Sequence, residues 1–239
     1  MGIIFDRPIA KPHVLSTAPV LESWGKTDHP EQLRLRAYLD KVETLINALV
    51  PVSSGHLALE LTVGLSPRVA LDSGGRDLDN YLLPIARRIG PQRLDTVFGR
   101  KLHTDTSTIA AATATQVRDS PGEPRLLVRA TGSSESSAWK QQIHGACRAV
   151  SSAPLPRGPL TLCIRFGVSS RRNWSTLWKP SIDALGPVLG IQDLTKPFRP
   201  ENDRIVELAL HRTIDDTLGN DVDIEAWWSH SVPPATAPP

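Results

Sequence analysis

Cysteine is almost absent, with only Cys147 and Cys163 in 239 residues. Two thiols so far apart build neither a metal knuckle nor a disulfide framework, which excludes a zinc-stapled or disulfide-stapled fold and leaves two small buried hydrophobes. Long apolar runs are missing as well. No stretch approaches the roughly 18 residues that cross a bilayer, and the opening MGIIFDRPIAKPH lacks a secretory hydrophobic segment, so a soluble, cytoplasmic protein with no membrane partner is expected. Neither charge is in excess: 27 Lys plus Arg stand against 25 Asp plus Glu, a formal +2. A dedicated nucleic-acid binder usually shows a basic balance, so only the local distribution of charge can argue for one here. The 7 histidines have no zincin spacing, and there is neither a Gly-x-Ser-x-Gly elbow nor a Walker loop.

What charge there is comes in groups. Arg87, Arg88, Arg93, Arg100 and Lys101 follow closely on one another, and Arg171, Arg172 and Lys179 form a second cluster. Each is either a phosphate-facing patch or a solvated face of a helix or loop.

The chain also reads as one pattern written twice. The stretch from Ala37 to Leu49 aligns without gaps on Ala138 to Val150, and both carry apolar residues at helical spacing: Tyr38, Val42, Leu45 and Leu49; Trp139, Ile143, Ala146 and Val150. A Pro/Ser/Gly stretch ends each helix and a strand follows, with Leu57, Leu59, Leu61 and Val63 matching Leu160, Leu162, Ile164 and Phe166 at period two. Each copy then opens a short apolar helix that closes on Gly90-Pro91 or Gly186-Pro187. Strands over 109–117 and 205–213, with partners over 125–131 and 221–227, would finish each half as a hairpin. The expected fold class is therefore α/β, as two tandem units forming an intramolecular pseudo-dimer. The boundaries are an N-terminal extension over 1–30 with an extra strand from Gly2 to Phe5, units over 31–131 and 132–228, and a disordered proline-rich tail over 229–239.

The most specific local signal is Arg76-Asp77-Leu78-Asp79-Asn80. Carboxylates at i and i+2 beside a helix start can hold a hard divalent cation. The plainer explanation is an N-terminal cap, which accounts for one aspartate but not for both together with Arg76 and Asn80.

These residues resemble the RusA-type Holliday junction resolvases, dimeric α/β endonucleases that cut branched DNA with magnesium. Arg76 to Asn80 matches the family's Arg-Asp-Leu-Asp-Asn, Lys179 to Leu185 resembles its lysine-bearing helix, and Glu201 to Leu208 its final acidic cluster and strand. The resemblance covers most of residues 31–228 and implies a magnesium-dependent endonuclease, with manganese as a substitute, acting on branched DNA. Neither half holds the full set. Leu83 stands in the first half where the family has lysine, and Asn173-Trp174-Ser175-Thr176 replaces the paired aspartates in the second. One competent site at most is expected. Asp77 and Asp79 would hold the metal with Asp105 as the third acid, while Lys179 and Asp203 either complete that site or are vestigial. The neutralising cation would come from Arg87, Arg88 or Lys179. Arg76, Asn80, Arg87, Arg88, Arg100, Lys101, Arg171 and Arg172 would serve DNA binding. Trp174 and Trp178, four apart, would either stack on unpaired bases or pack between the halves. The rival expectation is a resolvase fold that has lost turnover and serves as a DNA-binding or protein-interaction module.

Overall fold

Alternation in the sequence becomes a buried sheet face. A computed structural model describes residues 3–22, 28–117 and 122–231. In it Leu57, Leu59, Leu61 and Val63 lie on β2 (Leu57–Leu65), and Leu160, Leu162, Ile164 and Phe166 on β6 (Leu160–Val168); all eight join one apolar core. The other strands are β1 (His13–Val14), β3 (Leu94–His103), β4 (Thr108–Thr113), β5 (Leu126–Ala130), β7 (Ile205–Ile214) and β8 (Val222–His230). Among the described residues five α-helices accompany them: α1 (Pro30–Leu49), α2 (Leu78–Ile89), α3 (Ser137–Val150), α4 (Trp178–Asp183) and α5 (Gly186–Leu189). The chain is thus mixed α/β, with one eight-stranded sheet in the order β1-β4-β2-β3-β7-β6-β8-β5. The apolar stripe of α1 (Leu35, Tyr38, Val42, Ile46) and that of α3 (Trp139, Ile143, Cys147) are buried, as their spacing requires.

Pairing senses are the same read from either edge. β2 runs parallel to β3 and antiparallel to β4; β6 runs parallel to β7 and antiparallel to β8; β3 and β7 meet antiparallel at the centre. A register shift falls between Leu57 and Ala58 on one side and between Leu160 and Thr161 on the other. Opposite the helices, Arg7 pairs with Glu60 and Glu207, Arg100 with Glu60, and Arg165 with Glu225.

Several expectations are corrected. The strand that runs parallel beside β2, as β7 does beside β6, is β3, which reads in sequence only as part of a basic group. Its Asp95 and Arg100 find cross-strand partners in Arg212 and Glu60, so polar residues sit in a central strand and hide the alternation. Leu57 pairs with Leu94 and Leu160 with Ile205, so Asp203 precedes its strand register by two residues as Gln92 does. Neither half ends in a hairpin: β7 and β8 flank β6 and are not paired with each other. β1 takes the outer edge of β4 through His13 and Ile109, and β5 pairs with β8 through Leu126 and Ala226. Residues 126–130, expected to pair with 109–117, instead pair with 222–226. Of the strand expected from Gly2, Phe5 makes an isolated bridge to Gln116, and Gly2 lies outside the described residues. Ser229 and His230 end β8 instead of opening the tail, whose residues 232–239 lie outside the described residues.

Candidate active site

α2 is laid close on the sheet by a missing side chain. At Gly99 of β3 a Cβ would stand 3.0 Å from Leu82 Cδ1 and 3.4 Å from Leu78 Cδ2, so the first turn of α2 rests directly on the strand. The turn leading into it uses left-handed backbone at Gly74 (φ +87°) and Gly75 (φ +68°), conformations that suit glycine. Asp77 then occupies the N-cap position, yet its carboxylate accepts no bond from a helix backbone N–H. Its Oδ2 accepts from Asn80 Nδ2 at 3.1 Å instead. Capping therefore does not explain Asp77.

Asp79 is 2% exposed, and its Oδ2 is buried with no hydrogen-bond partner. The nearest cation is Lys179 of α4, whose Nζ lies 3.7 Å from that oxygen and 3.6 Å from Asp183 Oδ1 one turn further along α4. Asp183 Oδ2 in turn receives Lys140 Nζ of α3 at 3.1 Å. On the opposite flank Gly75 N donates to Asp203 Oδ2 at 3.2 Å, and Lys101 Nζ donates to the carbonyls of Arg76 (3.2 Å) and Asp203 (2.6 Å). Asp77 and Asp79 are thus gathered with Lys179, Asp183 and Asp203, residues that follow them by about a hundred positions.

Burial governs the protonation of this cluster. It raises Asp79 to about 6, with Lys179 opposing and Asp77 and Asp183 reinforcing. It also raises Asp77, against the attraction of Lys179 and Lys101 and with the repulsion of Asp203 and Asp183. For Lys179, burial disfavours the charge, but Asp79, Asp183 and Asp77 outweigh it and raise the pKa. A carboxyl near 6 facing a firmly charged ammonium is an arrangement that can exchange a proton close to neutral pH.

The resemblance implies magnesium. The orphaned Asp79 oxygen and the uncapped Asp77 carboxylate are hard oxygen donors of the kind this ion takes, and it is commonly held by one or two carboxylates with water and substrate phosphate supplying the rest. Among the described residues no group of three or more His, Cys, Asp or Glu is arranged to hold a metal ion, so a dication here would rest on those two side chains.

Other expected residues lie elsewhere. Asp105 is exposed in the turn between β3 and β4. Arg87 pairs with Glu22, and Arg88 with Asp40 and Glu43. Arg100 is tied to Thr62 and Glu60. Lys101 is 1% exposed, so it cannot reach a DNA phosphate from this position. Arg76 is half-buried and donates to Ser73 O, and Arg172 donates to Gly132 O and lies over the Trp139 ring. Arg171 is exposed. Trp174 and Trp178 are both 0% exposed and meet edge to face at 4.8 Å, with Trp174 Nε1 donating to Pro91 O at 2.8 Å, so neither ring faces solvent. Asp183 and Lys140 carry no motif of their own in the sequence; the i,i+4 spacing of Lys179 and Asp183 is the signal for the first.

A scan against protein-family models and a search of curated proteins match nothing.

Proposed function

We propose that the chain is a fused pair of RusA-like units in which one composite centre, shared between the halves, nicks branched DNA with the help of magnesium. The observation that carries this reading is the 3.7 Å approach of Lys179, from the second half, to Asp79 of the first. Each half lacks part of the family's set, and the missing lysine of one is supplied by the other. The pairing senses of the sheet, alike from both edges, fit a doubled unit.

In this reading Asp77 and Asp79 hold the metal, which when bound supplies an activated water and polarises the scissile phosphate. Lys179 is aimed from the other side by Asp183 and sets a positive charge where the pentavalent phosphate gathers negative charge. Asn80 orients the Asp77 carboxylate. Exposed Arg171 contributes to holding the phosphate backbone, a salt-sensitive contact that carries no base preference. With one centre, a single strand is cut per encounter.

A second reading, a resolvase fold without turnover, is favoured by the absence of a three-carboxylate group among the described residues. One experiment separates the two. A 5′-labelled four-way junction is incubated with magnesium and wild-type protein, Asp77→Asn or Lys179→Met. Nicking by wild type alone supports the nuclease; equal nicking by Asp77→Asn refutes the composite centre. Salt-dependent junction binding without cleavage by any of the three supports the second reading.

A further inference from the structure

Lys101 is the most deeply buried lysine beside the centre and the one whose charge the fold leaves least explained. It sits near the end of β3 with its ammonium under the turn that delivers Asp77, giving hydrogen bonds to two backbone carbonyls, Arg76 O at 3.2 Å and Asp203 O at 2.6 Å. The first belongs to the strand–helix turn of the first half and the second to the segment that opens β7. Among the described residues it makes no ion pair within 4.0 Å. Burying an ammonium without a carboxylate partner is costly, and an apolar side chain of similar length would fill the same space without that cost.

The second half offers a built-in comparison. The position matching Lys101 is Arg212, which donates to Gln92 O at 3.0 Å just as Lys101 donates to Asp203 O, while Gln92 Nε2 reaches Arg172 O at 3.4 Å. There the charge is neutralised locally, because Arg212 also donates to Asp95 Oδ1 at 2.7 Å. The half that lost its aspartates thus has a strut with its own counter-ion. In the half that kept them, the acids acting on the buried ammonium are Asp203, Asp77 and Asp72, with Arg76 opposing.

We infer that Lys101 is a positioning residue of the composite centre, clamping the Arg76–Asp77 turn to the Asp203 segment so that Asp77 is held in line with Asp79 and Lys179. This rests on the reading of Asp77 and Asp79 as the working carboxylates. The Gly75 N to Asp203 Oδ2 bond spans the same seam, so loss of the clamp opens the turn at the point where Asp77 leaves it.

The test compares full-length wild type, Lys101→Met and Lys101→Arg by amide hydrogen exchange and by junction nicking with magnesium. Lys101→Met is expected to speed exchange over 72–77 and 201–204 while leaving α1 and α3 protected. Its kcat should drop about 100-fold, the effect of a reacting group displaced by roughly an ångström, with junction affinity unchanged. Lys101→Arg, which reproduces the strut of the other half, is expected to restore both readouts. Unchanged exchange at the seam, or a kcat equal to wild type, overturns the inference. If wild type itself does not nick, the nuclease reading fails, and the exchange pattern with its rescue by arginine decides the clamp alone. Should Lys101→Met not fold, Lys101→Gln, which keeps a donor but no charge, is measured in its place against the same criteria.

Discussion

Lys179 Nζ and Asp79 Oδ2 stand 3.7 Å apart although one belongs to α4 and the other to α2. Asp79 has no hydrogen bond to that oxygen, and Lys179 divides its charge between Asp79 and Asp183. The pair is therefore a direct probe of the contact between α2 and α4. A double-mutant cycle with Asp79→Asn and Lys179→Met, followed by urea unfolding at pH 7.5, is expected to give a coupling of about 1 to 3 kcal/mol. Additive effects would mean that the two side chains do not meet in solution.

Asp79 makes stability depend on pH near neutrality. Burial raises its pKa from 3.8 to about 6, so the folded state holds the proton more tightly than the unfolded chain does. The stabilisation is fully present below about pH 4 and is lost as pH rises through 6, amounting to about 3 kcal/mol for a shift of this size. Asp79→Asn removes that loss. Relative to wild type, the variant should gain stability between pH 4.5 and pH 7.5, seen as a Tm difference that widens with pH. A difference that stays constant across the range would contradict the raised pKa.

Trp174 is expected to be a stability residue. It is fully buried, packs on Trp178 and Phe166, and donates to Pro91 O. Truncation to alanine should cost about 3 to 5 kcal/mol in urea unfolding, as large aromatic deletions in a core do. Trp174→Phe should recover much of the packing but leave Pro91 O without its donor. A mild loss of stability combined with a large loss of junction affinity would instead point to base stacking.

His211 supplies a separate acid sensitivity on the helix-free side of the sheet. It lies between Phe5 and Phe98, and its Nδ1 accepts from Phe5 N at 3.3 Å and lies 2.9 Å from Thr96 Oγ1. Burial, with help from Arg165, lowers its pKa from 6.5 to about 3. The unfolded chain therefore binds a proton that the folded one refuses, and stability falls as pH drops from 6.5 towards 3, by at most about 5 kcal/mol. His211→Phe should flatten that part of the acid limb. Exchange at the Phe5 amide should rise on acidification in wild type; an amide insensitive to pH, after correction for intrinsic exchange, would contradict this assignment.

How much of this was legible in the chain differs from element to element. β2 and β6 were readable because one face of each lies in the core, which forces alternation at Leu57 to Val63 and at Leu160 to Phe166. α1 and α3 were readable for the corresponding reason at helical spacing. β3 was not, because Asp95 and Arg100 are satisfied by partners far away in sequence, and no local pattern announces a partner. The edge strands β1 and β5 were missed or misassigned because an edge is chosen by which neighbour is free, a property of the assembled sheet.

The same division holds at the centre. Local chemistry determined that Asp77 and Asp79 belong together, since two residues at i and i+2 beside a helix start must be close. Leu83 and Asn173 were legible only as departures from the pattern the chain resembles. Only the tertiary structure could bring Lys179 to Asp79 in place of Arg87 or Arg88, seat Lys101 under the Asp77 turn, and leave Asp105 in solvent. Those outcomes depend on how β3 and β7 pair and on how closely α2 and α4 approach over them, and long-range packing of that kind leaves no periodic trace in the order of residues.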